Sequence, residues 1–443
     1  MKQDSLNATI TGLIANVELA HDICLSGTIT RISGFMLEAV GLRAPVGSIC
    51  KVYIESTKRA LLTEVIGFAN ETTYLMAYEE IQGIVPGQQI SFVDDKFSVP
   101  VDFSLLGRVV NGLCEPIDNK GPLCTTAKYD RHTAAMNPID RVRISKPIDV
   151  GVRAINALLT VGQGQRLGIF AGSGVGKSVL LGMITRFTEA DVVIVGLIGE
   201  RGREVKEFIE EAVGLENLKN TVIIASPVDT SPLMRVNGAA VATTIAEYFR
   251  DQGLNVLLII DSLTRYAQAL RQVYLTLGEM PSSKGFSPSV FSRISQLVER
   301  TGQGAKHQGA ITAFYTVLVE GDDLGDPVAD HARSILDGHI VLSRKLADAG
   351  HYPAIDISSS ISRVMTAITT EEHIASALKF KQLFSTYQSN LDLIKMGMYQ
   401  AGADPLVDES MHHIDKINHF LRQQMNESTH FEDNVNELAG LFE

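Results

Sequence analysis

The segment Ala171-Gly-Ser-Gly-Val-Gly-Lys-Ser178 constrains this chain more than any other. It stands between an apolar run at 167–170 and a helical stretch at 179–187. A strand that ends in a glycine loop and continues as a helix belongs to parallel α/β sheets, where the loop opens a cradle for phosphate. Gly172, Gly174 and Gly176 let the backbone curl until successive N–H groups, including those of Ser173 and Val175, point into one hollow. The positive end of the following helix reinforces that hollow. Lys177 adds a point charge for the β- and γ-phosphates, and Ser178 offers a hydroxyl to magnesium. Ala171 stands where the strict pattern has glycine.

The neighbouring sequence supplies the rest of such a sheet. Apolar runs at 167–171, 192–198, 222–225, 256–261 and 310–318 alternate with helical stretches, the pattern of a mostly parallel sheet covered on both faces. Ligands of open α/β sheets bind at the carboxyl ends of the strands. Val256-Leu-Leu-Ile-Ile-Asp261 ends in a carboxylate, which places Asp261 to hold magnesium through water. The run at 192–198 leads into Gly199-Glu-Arg201. Glu200 therefore reaches the same edge, as the candidate that orients and polarises an attacking water; a surface Glu–Arg pair is the alternative.

Composition shifts divide the chain into four parts. Leu6, Ile10, Leu13, Ile14 and Val17 recur at helical spacing, so 1–20 reads as an amphipathic helix, either packed on its own domain or docking on a partner or a membrane surface. Short β-rich runs separated by turn residues make 21–95 a small closed β-barrel. The P-loop sheet domain occupies 96–369. Strands then stop, and 370–443 reads as a helical domain with helices at 371–384, 390–398 and 408–425.

With 443 residues, 45% of them hydrophobic, the chain has enough material for two or three domain cores. No apolar run approaches the roughly 20 residues of a membrane span, and 1–20 lacks a basic start followed by an apolar block. A cytoplasmic protein is expected. Cys24, Cys50, Cys114 and Cys124 stand singly, so neither a zinc site nor a disulfide framework is indicated. The net charge of −12 argues against a broad nucleic-acid surface.

Four ordered motifs carry a resemblance: Gly172-Ser-Gly-Val-Gly-Lys-Ser178, Gly199-Glu-Arg-Gly-Arg-Glu204, Asp261-Ser-Leu-Thr-Arg265 and Pro353-Ala-Ile-Asp-Ile-Ser-Ser-Ser-Ile-Ser-Arg363. Together they resemble the rotary ATP synthase catalytic-subunit family over nearly the whole chain. Within it the chain is most similar to the flagellar type III export branch, through the segments at 169–182, 195–206, 312–323 and 335–344. The loop Met280-Pro-Ser-Ser-Lys-Gly-Phe-Ser-Pro288 departs from that branch's wording.

The resemblance implies a RecA-like P-loop core that hydrolyses ATP with Mg2+ to energise protein export. Lys177 and Ser178 would bind phosphate and magnesium, Glu200 would be the catalytic carboxylate with Arg201 beside it among the catalytic residues, and Asp261 would support the metal, with Arg265 close by. Tyr352 matches the position that stacks on adenine, a core tyrosine being the alternative. Arg363 matches the arginine that reaches into a neighbouring subunit's site. A homohexamer is implied, with 278–291 lining its central hole against a coiled-coil stalk protein unless that segment is an ordinary surface loop. The other implied partners are a stator-like regulatory protein, export substrates or chaperones, and the inner face of the cytoplasmic membrane as a peripheral contact.

Rival readings are an injectisome type III secretion ATPase, a rotary ATP synthase subunit, a non-catalytic ring subunit and a nucleic-acid translocase. Glu200 speaks against the non-catalytic subunit. A barrel whose only basic cluster is Lys58-Arg59 speaks against the translocase.

Overall fold

The computed structural model describes residues 25–55, 58–133, 135–214, 216–319 and 325–442. The helix expected over 1–20, Cys24 and the end of the 312–323 segment lie outside the described residues. The chain divides into two compact units, 1–97 and 98–443.

The first unit is a closed antiparallel barrel of β1 (Ser26–Ser33), β2 (Met36–Val40), β3 (Ile49–Ile54), β4 (Arg59–Ala69), β5 (Thr72–Ala77) and β6 (Gln89–Asp94), in the order β1-β2-β5-β4-β3-β6. Its sequence alternates because each strand has one inner face. In β3 the side chains of Cys50, Val52 and Ile54 are buried while Lys51 and Tyr53 face solvent. Ile29, Leu37, Val65, Leu75 and Ile90 fill the interior from the other strands.

The second unit opens with β7 (Ser98–Val101), β8 (Val109–Asn111) and β9 (Ala127–Asp130), of which β7 and β9 pair as a ribbon. Its main sheet adds β10 (Arg166–Ala171), β11 (Val192–Ile198), β12 (Thr221–Ser226), β13 (Val256–Asp261), β14 (Gly302–Gln303), β15 (Ala310–Leu318), β16 (Gly338–Leu342) and β17 (Ile355–Ser362). The order is β17-β16-β10-β15-β13-β11-β12-β8, with β14 beside β15. From β16 to β8 every neighbouring pair is parallel, and only β17 and β14 run antiparallel.

Every residue of β11 and β13 is buried, which is why both read as unbroken apolar runs. The register aligns the carboxyl ends: Ala171 pairs with Leu318, Leu197 with Asp261, and Ile198 with Ser226. The phosphate loop, Glu200 and Asp261 therefore leave the sheet along one edge.

The C-terminal helices pack on the same core through Phe380, Leu383, Phe384, Ile417 and Phe420. The two helices expected at 371–384 and 390–398 are one helix, Glu371–Lys395. The polar stretch between them contains no glycine or proline, so nothing in it breaks the helix. The helix ends just before Gly397, whose φ of 68° is the left-handed conformation that glycine adopts freely after a helix.

One buried ion pair knits this unit together. Arg300 at the end of helix Pro288–Glu299 forks onto Glu247 of helix Pro232–Asp251, at 2.9 and 2.6 Å, and donates to Thr244 Oγ1 and to the carbonyl of Arg131. Both side chains are almost fully buried, at 7% and 3% exposure. Removing one partner leaves a charge with no solvent and no counter-ion, which typically costs about 3–5 kcal/mol. Arg300→Met is therefore expected to lower urea-unfolding stability by about that amount, and Arg300→Met with Glu247→Leu to recover part of it. A single variant within about 1 kcal/mol of wild type would show that the pair is not a keystone.

Candidate active site

The phosphate loop takes its shape from backbone conformations that only glycine adopts without strain. Gly174 and Gly176 have φ of 76° and 92°, and Gly176 caps the helix Lys177–Phe187. A Cβ on Gly176 would stand 3.3 Å from the ring of Tyr352, so this glycine also makes room for an aromatic side chain against the loop. Tyr352 is 46% exposed, which leaves much of its ring free. It arrives on the turn before β17, through the cis peptide bond Tyr352-Pro353.

Glu200 depends on a second glycine. Gly199, at φ 71°, turns the chain as β11 ends, and a Cβ there would meet the Arg265 side chain at 2.8 Å. The Glu200 carbonyl is held by the N–H of Val228 at 3.0 Å. Asp261, at the end of β13, is 3% exposed, and its Oδ1 accepts from Thr316 Oγ1 on β15 at 2.6 Å.

Lys177 gathers these groups. Its Nζ lies 2.5 Å from Asp261 Oδ1 and 3.4 Å from Glu200 Oε1, and all three side chains are at most 14% exposed. Burial works against the ammonium charge, but the two carboxylates outweigh it and hold the Lys177 pKa above its ordinary value. Glu200 moves the other way from a typical carboxylate: burial first, then the Asp261 charge, raise it, and Lys177 offsets them only in part.

A cavity of about 1210 Å³ opens over this group, large enough for a nucleotide. Gly172, Ser173, Gly174, Gly176, Lys177, Ser178, Glu200 and Arg201 line it. Val175 is the buried residue of the loop, and Asp261, also buried, contacts Lys177, which lines the cavity. Arg201 extends into solvent, 81% exposed, with a loose 3.9 Å contact to Glu204. Arg265 also lines the cavity; its Nη1 donates to Gln268, while its buried Nε has no hydrogen-bond partner.

Arg363 is not in this cavity. It follows β17, its N–H bonds the carbonyl of Asp337, and its Nη2 donates to the carbonyl of Arg333. Asp337 in turn binds Arg166, the first residue of β10. Arg363 thus sits at the amino end of the strand whose carboxyl end carries the phosphate loop. Five residue steps at about 3.3 Å separate those ends by roughly 16 Å.

The segment 278–291 splits in two. Its last four residues begin the helix Pro288–Glu299, while Lys284 and Phe286 form a turn at the rim of the cavity, with the Arg271 guanidinium 5.1 Å above the Phe286 ring.

Three further residues complete the site. Thr316 anchors Asp261, Thr264 Oγ1 accepts from the Leu318 N–H at 2.9 Å, and Arg344 Nη2 donates to the Ser173 carbonyl at 3.0 Å. Nothing local singles out Thr316, because the same run also carries Thr312 and Tyr315.

Comparison with known proteins establishes the family. Residues 151–362 match the nucleotide-binding domain of the ATP synthase alpha/beta family, 29–94 its beta-barrel domain, and 369–440 the T3SS EscN ATPase C-terminal domain. The flagellum-specific ATP synthase of Pseudomonas aeruginosa is 50% identical over 443 residues, covering 100% of this chain and 98% of the relative. That of Salmonella typhimurium is 51% identical over 425 residues, covering 94% and 93%. The assembled ATPase EscN of the enteropathogenic E. coli type III secretion system, solved in complex with its central stalk EscO, superposes with a TM-score of 0.87. It is 42% identical, and the match covers 94% of this chain and all of the other. The chain belongs to the ATP synthase alpha/beta family, among its flagellum-specific and type III secretion members, and is an ATPase.

Proposed function

We propose that this ATPase works as a homohexameric ring that energises protein export through the flagellar type III apparatus, with each site shared between two copies of the chain. The observation that carries the shared site is the separation of Arg363 from its own phosphate loop by the length of β10. An arginine on that edge cannot serve its own nucleotide, whereas it is exposed and free to meet a neighbour's.

Within the site, the N–H groups of the glycine loop and the end of the helix Lys177–Phe187 hold the phosphates. Asp261 and Glu200 keep Lys177 charged, so an ammonium is ready for the β- and γ-phosphates. Glu200 has a raised pKa and accepts the proton of the attacking water more readily than an ordinary carboxylate would. Tyr352 offers its exposed face to the base. Ser178 and Asp261 are hard oxygen donors that suit magnesium. A magnesium ion held by so few protein oxygens takes its remaining ligands from phosphate oxygens and water. Magnesium bound there would neutralise charge on the transferring phosphoryl group.

The flagellar reading is favoured over the injectisome by identity, 50% and 51% to the Pseudomonas and Salmonella flagellar relatives against 42–45% to the type III secretion ATPases. EscN was solved assembled and with a central stalk, and we extend both to this chain as a ring around a coiled-coil protein met by 278–291. A cytoplasmic position at the inner face of the membrane, with stator-like and chaperone partners, follows from the family resemblance. No helix among the described residues is long and apolar enough to cross a membrane.

Lys177→Ala is expected to lower ATP turnover by about 100-fold or more, since it removes charge stabilisation from the transferring phosphoryl group. Glu200→Gln keeps the shape and loses the base, so it should bind ATP normally while turnover collapses. Normal hydrolysis by Glu200→Gln removes this residue from the mechanism.

Arg363→Ala should bind ATP and hydrolyse it about 10³-fold or more slowly. Mixing Arg363→Ala with Lys177→Ala subunits should restore part of the activity, because some interfaces then join an intact loop to an intact arginine. Full activity of Arg363→Ala alone, or no recovery in rings shown by mass measurement to be mixed, overturns the shared site.

A further inference from the structure

Gln423 lies between the last two helices, Pro405–Leu421 and Phe431–Gly440, and is 5% exposed. Buried glutamines are uncommon and need partners for every polar atom. Here all the partners are backbone groups, three of them from distant parts of the chain. Its N–H donates to the carbonyl of Tyr352 at 3.1 Å. Its Oε1 accepts from the Arg153 N–H at 2.8 Å, and its Nε2 donates to the carbonyls of Gly151 and Glu427, each at 2.8 Å.

The surrounding loop, 422–427, is held to the nucleotide-binding core along its length. Arg153 reaches the carbonyls of Phe420 and Arg422 and pairs with Glu427 at 2.6 Å. Arg186, in the last turn of the helix that begins at Lys177, donates to the carbonyl of Met425. The loop therefore touches both the helix that ends the phosphate cradle and the turn that carries Tyr352.

We propose that Gln423 is a positioning residue for ATP binding: its amide fixes the loop whose N–H holds the Tyr352 backbone, and so sets the Tyr352 ring over Gly176. The proposal rests on the reading of Tyr352 as the residue that stacks on the base. Gln423 does not line the cavity. It acts on the adenine end of the site and leaves the phosphate chemistry alone.

A residue acting this way separates KM from kcat. Base–aromatic stacking is worth about 1–3 kcal/mol, so a misplaced ring should raise KM for ATP about 5-fold or more while kcat stays within about 2-fold. Gln423→Met keeps the length and removes the amide. It should weaken ATP in this manner and change the competition constant of inorganic tripolyphosphate, which has no base, by less than about 2-fold.

A double-mutant cycle with Tyr352→Ala, run on the full-length protein, decides whether the effect passes through the tyrosine. Tyr352→Ala alone should raise KM, and adding Gln423→Met should raise it no further, because coupled residues are non-additive. A raised KM in Tyr352→Ala beside a normal KM in Gln423→Met overturns the positioning role while leaving the stacking reading intact. Additive effects, or equal weakening of ATP and tripolyphosphate, assign Gln423 a structural role and also overturn it. Unchanged KM in Tyr352→Ala removes the stacking reading and this proposal with it. If Gln423→Met does not fold, Gln423→Asn, which keeps the amide one methylene shorter, enters the same cycle with the same deciding outcomes.

Discussion

The Lys177 ammonium, placed between Asp261 and Glu200, is the contact around which the second unit is organised. Its three members come from three parallel strands: the helix after β10, the turn after β11 and the last residue of β13. They meet only because the sheet is in register at its carboxyl edge, where Leu197 pairs with Asp261. A slip of one residue along any of these strands would turn its side chains to the opposite face of the sheet. Burying an ammonium is tolerated here because two carboxylates supply compensating charge and hydrogen bonds, one of them itself held by the Thr316 hydroxyl. The same arrangement keeps the lysine charged and the glutamate basic before any ligand arrives.

The sheet that gathers one half of the site also keeps the other half away. Asp337 ties both Arg363 and Arg166 to the amino edge, a strand's length away from the phosphate loop. A single chain carries both halves on opposite edges of one rigid layer. On the proposed mechanism, assembly is then a condition of catalysis: the edge that is useless to its own nucleotide is the one available to a neighbour.

Much of this layout was legible in the sequence, for a physical reason. β11, β13 and β15 are buried along nearly their whole length, so their apolar runs start and stop where the strands do. The glycine loop, Glu200 and Asp261 could be found because chemistry at the carboxyl edge lies directly after such runs. Contacts that depend on chain crossings were not legible. Thr316 meets Asp261 across 55 positions, Arg344 reaches Ser173 across 171, and no local pattern marks either pair. The break expected near 385–389 is absent because that stretch is polar but carries no helix breaker, and on an exposed helix face polarity is no obstacle to continuing.

The join between the C-terminal helices and the nucleotide-binding core combines two kinds of contact with different consequences. Phe380, Phe384 and Phe420 supply apolar area, which favours association but specifies orientation weakly, since such surfaces tolerate sliding. Arg153, Arg186 and Gln423 instead bind backbone carbonyls and N–H groups at fixed distances, and each bond is lost if the layers shift by more than a fraction of an ångström. A buried polar seam of this kind is unforgiving, because a half-satisfied network is worse than none. Its presence in the loop 422–427 means that the helices cannot reorient and leave the seam intact. One end of the seam is the Tyr352 carbonyl and the other is Arg186, in the last turn of the helix Lys177–Phe187 and far from its phosphate-binding start, so a displacement of the C-terminal helices acts first on the turn that carries Tyr352.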